Sequence, residues 1–227
     1  GLNVLDPLTG ASEEKQRFFI FDWCRNFAFF REDPKAVEGK MGSSLSELVF
    51  SRQATLVKDL QQSLFAGEDY QAWRSELVKT IHQQVNDLNE ELVTVRLHRQ
   101  AVEKFKQAQA YTCISEGDLS VLTSEIAPLV RNDEADVDAL RFDAFMYGFM
   151  NALCEGYTTA NHANRLTSIS MKLQGKITIP QVKEKLPLLQ EITEVDFFKE
   201  ISVLKLEEIR VALRGLIRFI QGGEARK

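Results

Sequence analysis

At 227 residues, 44% of them hydrophobic and with a formal net charge of −5, the chain has the make-up of a globular protein of one domain or two small ones. It has no run of 18 or more apolar residues, which excludes a membrane-spanning helix, and no basic-then-apolar start, which argues against a signal peptide. Three scattered cysteines, Cys24, Cys113 and Cys154, argue against a disulfide framework and for a reducing, cytoplasmic setting.

Residues 1–17 are polar, with turn signals at Asp6-Pro7 and Thr9-Gly10, and read as an irregular lead-in. The run Phe18-Phe19-Ile20-Phe21 is the one strongly strand-like stretch, aromatic and β-branched, of the kind buried on both faces of a parallel sheet. No other strand of similar quality follows, so this orphan β-strand points to a piece of something larger. A linker rich in Pro, Gly and Ser, Glu32 to Ser44, leads into helices.

Ser44 with Glu47 forms a capping box for a first helix carrying Leu45, Leu48, Val49, Leu56, Leu60 and Leu64 and ended by Gly67. Asp69 is a candidate cap for a second, long amphipathic helix from Tyr70 through Trp73, Leu77, Ile81, Val85, Leu88 and Leu92 to Val95. The apolar residues then thin out between Gln100 and Gln109. Ser115 with Asp118 opens another helix, which Pro128 bends or shortens. The most apolar helix spans Asp133 to Cys154, with Gly156 as its C′ residue. Asn161–Leu173 is a shorter helix, Pro180 opens the next, Pro187 interrupts it, and Thr193–Phe198 makes a brief helical turn. Leu206–Ile220 closes the chain, with Leu206, Ile209, Leu213, Leu216, Ile217 and Ile220 on one side. The fold class is therefore mainly α, about seven or eight helices preceded by one orphan strand. Residues 1–42 form lead-in, strand and linker. Residues 43–227 form the helical part, as one domain or as subdomains 43–112 and 113–227.

Candidate sites are few. Gly39-Lys40 lacks the following Ser or Thr of a phosphate-binding loop, and Pro34 stands where its first glycine belongs. Asp22 with Glu38 and Lys40 has the residue types of a metal-dependent nuclease, but Glu38 and Lys40 sit in the linker and not on a strand; Glu13-Glu14-Lys15 repeats the same pattern by chance. His82, His98 and His162 lack zinc-site spacing, and no cysteine has a neighbouring histidine to activate it. Asp133, Glu134, Asp136 and Asp138 suit a helix N-terminus better than a calcium loop. Arg210, Arg214 and Arg218 stripe one face of the last helix, for a partner or for solvent and internal pairs, with Glu207 placed to pair with Arg210. Charge is uneven: residues 1–156 hold 16 Lys+Arg against 25 Asp+Glu, and residues 157–227 hold 12 against 8.

Four segments carry a family resemblance. Phe18-Phe19-Ile20-Phe21-Asp22-Trp23-Cys24-Arg25-Asn26-Phe27-Ala28-Phe29-Phe30 resembles F-Y-I-F-D-Y-C-x-N-F-x-F-F. Phe142-Asp143-Ala144-Phe145-Met146 resembles part of R-F-D-x-x-M, Ile179-Pro180-Gln181-Val182 resembles I-P-x-V, and Leu206 to Phe219 resembles L-x-x-I/L-R-x-x-L-R-x-L-I-x-F. Together, in order, they are similar to the motor (R) subunit of type I restriction endonucleases at its C-terminal helical domain (the EcoEI R protein C-terminal domain family). Trp23 stands for the usual Tyr, and Gly215 for an acidic residue. The resemblance implies a strand that ends the second helicase lobe, then a non-catalytic helical part docking on the methyltransferase and specificity subunits. ATP, Mg and the nuclease would belong to other regions of the parent chain, and DNA would be met through the complete complex. An alternative within the same motor is direct DNA contact by the basic C-terminal third.

Overall fold

The computed structural model describes residues 3–5, 12–14, 43–131 and 136–221. Contacts divide the chain into two units, Gly1–Gly42 and Ser43–Lys227. In the first, β1 (Asn3–Leu5) pairs antiparallel with β2 (Ser12–Glu14), Val4 opposite Glu13. The lead-in expected to be irregular thus holds a two-stranded ladder, and the turn signals Asp6-Pro7 and Thr9-Gly10 lie between its strands. The Phe18–Phe21 strand, Asp22, Glu38 and Lys40 lie outside the described residues.

The second unit is helical. Helix α1 (Leu45–Asp59) starts at the Ser44–Glu47 capping box, where the Glu47 amide donates to Ser44 Oγ at 3.1 Å and the Ser44 amide donates to Glu47 Oε2 at 3.3 Å. Val49, Phe50, Ala54, Leu56, Val57 and Leu60 are buried. The expected stripe fails at Leu64, which is 78% exposed. The helix stops at Asp59, and a 3-10 turn, Ser63–Phe65, turns Phe65 inward instead.

Helix α2 (Glu68–Asn86) follows, capped by Gly67 without a side-chain bond; Asp69 sits in its first turn rather than at the cap. The long helix expected to reach Val95 ends at Asn86. Asp87 Oδ1 accepts from Gln83 Nε2 at 2.8 Å, and Asn89 Oδ1 accepts from the Glu91 amide at 2.9 Å. The Asn89 bond to the Glu91 backbone amide competes with helix continuation, whereas the Gln83–Asp87 bond joins two side chains four apart at the helix end. Two short helices follow, α3 (Val93–Leu97) and α4 (Arg99–Phe105).

Helix α5 (Glu116–Val121) opens at the Ser115–Asp118 capping box, then widens into a π turn, Leu122–Ile126, and tightens into a 3-10 turn, Ala127–Leu129. Pro128 cannot donate a backbone bond, which fits the change of helical pitch just before it. Helix α6 (Val137–Cys154) is capped by Asp136, whose Oδ1 accepts from the Ala139 amide. It ends in a Schellman motif: the Tyr157 amide donates to the Ala152 carbonyl at 2.8 Å and the Gly156 amide to the Leu153 carbonyl at 3.2 Å. Gly156 has φ 71°, a left-handed conformation that glycine adopts without a Cβ clash.

Helix α7 (Ala160–Gln174) precedes α8 (Pro180–Glu184), with Pro180 in its first turn as expected, and α9 (Leu186–Ile192), where Pro187 stands in the first turn of a new helix. Thr193–Phe198, expected as a brief helical turn, forms isolated turns, such as the Phe197 amide donating to the Glu194 carbonyl at 3.3 Å, and no continuous helix. The closing helix starts earlier than expected and is interrupted: α10 (Val203–Leu213), a 3-10 turn Arg214–Leu216 around Gly215, then α11 (Arg218–Gln221). The described residues therefore hold eleven α-helical segments, more and shorter than expected.

The most extensive helix pairing sets α1 on α6; α1 also packs on α2, and α10 packs on α6. Phe142, Phe145, Met146, Phe149 and Met150 of α6 are buried. Leu206, Ile209, Leu213, Leu216 and Ile217 are buried too, so the expected apolar side of the closing helix is the one that faces inward. Among the described residues no helix is long and apolar enough to cross a membrane.

Candidate functional site

The arginine stripe leads to a polar seam where α1, α6 and α10 meet. Asp143 stands in the most apolar helix and is 5% exposed. Its Oδ1 accepts from Arg210 Nη1 at 2.6 Å, and its Oδ2 accepts from Arg214 Nη2 at 2.8 Å. Arg214 Nε adds bonds at 3.1 and 3.2 Å, so this arginine grips the carboxylate side-on. Arg210 Nε and Nη2 donate to Glu207 at 2.7 Å each, and its guanidinium lies 4.9 Å from the centre of the Tyr147 ring. Burial works against the Arg210 charge, but the bonds to Glu207 and the nearby negative groups outweigh it and hold the guanidinium protonated. Burial pushes the Tyr147 hydroxyl up to about 12. That hydroxyl accepts from Gln53 Nε2 at 3.2 Å, while Arg52 donates to the Ala144 carbonyl.

Two of the three partner-binding candidates are therefore engaged inside the molecule. Arg210 and Arg214 close on Asp143, and only Arg218, lying 4.9 Å over the Phe219 ring, is exposed. The three do not form one docking face. Two guanidiniums already neutralised by carboxylates make a structural lock, and their donors point at an internal anion. The sequence signal for this lock was Asp143 itself, a carboxylate inside an apolar run.

Beside the lock, on the outer side of α10, lies a groove of about 660 Å³. Trp73 of α2 and Leu204, Val211 and Ala212 of α10 supply its apolar walls; Asp69, Glu207, Glu208 and Lys185 supply its charges. Trp73 is half-buried, and Val211 is 60% exposed. Sequence periodicity placed Trp73 on the core face of α2; the structure puts it at the edge of that face, where α10 leaves it partly open.

The remaining candidates resolve into structure. His82 Nε2 lies 2.8 Å from the Lys106 carbonyl oxygen and 3.2 Å from Asn86 Nδ2. His98 Nδ1 meets Glu125 at 3.1 Å, and His162 stacks on Phe149 and Phe145 with ring centres 5.3 and 6.0 Å away. Cys113 is exposed; burial pushes the Cys154 thiol up to about 12, with Asp59 and Glu155 adding to the effect, which keeps it a protonated, inert group. Asp136 caps α6 and Asp138 pairs with Arg141 at 3.2 Å; Asp133 and Glu134 lie outside the described residues. Among the described residues no cluster of three or more His, Cys, Asp or Glu could hold a metal ion. No family model, no curated protein and no solved structure matches this chain.

Proposed function

We propose that this chain is the C-terminal helical part of the motor (R) subunit of a type I restriction endonuclease, acting without catalysis in assembly with the methyltransferase and specificity subunits. One observation carries the reading. Two of the segments that bear the resemblance, Phe142–Met146 and Leu206–Phe219, are joined by Asp143 to Arg210 and Arg214 across 67 and 71 positions. Residues that match separately in sequence thus depend on one another in space, which supports reading them as parts of one fold. In this reading the Phe18–Phe21 strand ends the second helicase lobe. ATP, Mg and DNA cleavage belong to other regions of the parent chain, and the assembly works in the cytoplasm. The test is a pull-down of this chain against the separate methyltransferase and specificity subunits. Capture by one of them supports assembly; capture by neither, with the chain folded by circular dichroism, overturns it.

A second reading, direct contact with DNA by the same motor, rests on Lys172, Lys176 and Lys183. They lie within twelve positions of one another where α7 gives way to α8 and have no ion pair among the described residues, whereas Lys185, Lys199 and Lys205 are each paired with an acid. Three phosphate contacts would give a log–log salt slope of about −3 in DNA binding. A slope near zero removes this reading.

A further inference from the structure

The groove between α2 and α10 has apolar walls and an acidic rim, and two of its three carboxylates, Asp69 and Glu208, are not tightly paired. Asp69 has no ion-pair partner among the described residues, and Glu208 meets Lys205 only loosely, at 3.7 Å, with 70% of its side chain exposed. Lys185, the one cation of the lining, is held by Glu184 at 2.8 Å. Glu207 is engaged by Arg210 and fixes the groove wall to the lock. Trp73 offers an aromatic surface, the side chain best suited to receive a cation.

We propose that this groove docks a lysine- or arginine-bearing segment of a protein partner, with the cation against Trp73 between Asp69 and Glu208, and with apolar neighbours on Leu204 and Val211. Charge complementarity selects this occupant: Asp69, without an ion pair among the described residues, and the loosely held Glu208 favour a cationic ligand, Lys185 and Glu207 being already paired, while the apolar walls require side chains that a phosphate backbone lacks. As to which partner supplies the segment, the proposal rests on the assembly reading above and names its chemistry.

The test uses the full chain with Trp23→Tyr, so that Trp73 is the sole tryptophan. Two twelve-residue synthetic peptides, one alternating Leu with Lys and one alternating Leu with Glu, are titrated against its fluorescence. Saturable binding of the Lys peptide is expected, with binding of the Glu peptide at least tenfold weaker. Asp69→Lys with Glu208→Lys should weaken the Lys peptide at least tenfold and leave the melting temperature nearly unchanged. Equal binding of the two peptides, or indifference to the double variant, overturns the proposal. So does a dimer of this chain, found by light scattering, that the double variant dissolves, because the groove then takes a second copy. Pull-down with the methyltransferase and specificity subunits separates the two readings. If the peptide result holds while the double variant still assembles with them, the groove is a basic-segment site and the assembly reading fails at this surface.

Discussion

Asp59 is a carboxylic acid that the fold pushes toward its neutral form. It is 3% exposed, its Oδ2 has no hydrogen-bond partner among the described residues, and Lys58 Nζ comes only to 4.0 Å. Burial raises its pKa to about 6 from 3.8, Lys58 partly offsetting and Glu155 and Glu116 adding to the rise. The folded state thus binds this proton more tightly than the unfolded chain. Its contribution to stability is therefore most favourable below 3.8, falls as pH rises through the window to about 6, and stays low above it. Asp59→Asn should stabilise the protein by about 1–2 kcal/mol at pH 7.5 and by much less at pH 4. Urea titrations at the two pH values measure both. Gly148 is the opposite kind of residue, kept for space: a Cβ there would lie 2.9 Å from Arg52 Cζ, the group that holds the Ala144 carbonyl. Gly148→Ala should cost about 1 kcal/mol in the wild type by displacing that guanidinium. In an Arg52→Ala background the same change should instead stabilise by about 0.5–1 kcal/mol, the helix preference of alanine over glycine. Equal effects in both backgrounds would show that Arg52 does not set the constraint.

Among the elements, what could be read from the sequence was what is local. The apolar side of α10 and the capping boxes of α1 and α5 follow from residue spacing, and the structure has them there. Where the expectation failed, the deciding contact was either a short polar side chain acting on neighbouring backbone, as at Asn89, or a residue far along the chain. Arginines four apart look alike whether they face water or a buried acid; Asp143 decides, and it lies 67 residues from Arg210. The groove was illegible for the same reason, since its walls come from the start of α2 and from α10. The lock makes a sharp contrast within one stripe. Asp143→Asn leaves two arginines facing a neutral amide and should cost about 3–5 kcal/mol, as loss of one partner from a buried ion pair does. Arg218→Ser removes an exposed group and should cost less than about 1 kcal/mol. Thermal melts of the two variants rank them; equal losses would mean the lock is not the element that fastens α10 to α6.

Across the helical unit, α1 is the shared wall. It packs on α2 and on α6, and α10 packs on α6. Arg74 of α2 adds to the joint: its Nε donates to the Val57 carbonyl at 2.9 Å and its Nη2 to the Tyr111 carbonyl at 2.8 Å. The arrangement binds residues on both sides of position 112 to one helix, so the two ends should unfold together. Leu77 of α2 is 4% exposed and Leu213 of α10 is fully buried. Truncating either to alanine should cost about 2–5 kcal/mol. If the unit is cooperative, both variants should shift one and the same urea transition to lower midpoint with an unchanged slope, whether followed by helix content or by Trp73 fluorescence in the Trp23→Tyr background. If Leu77→Ala splits the transition, with Trp73 reporting early loss while most helix content persists, then residues 43–112 are a separate subdomain and α1 does not couple them to the rest. Leu213→Ala gives the complementary control: Trp73 faces the groove beside α10, so a transition that loses helix content while its fluorescence stays native would place the boundary on the other side of α1.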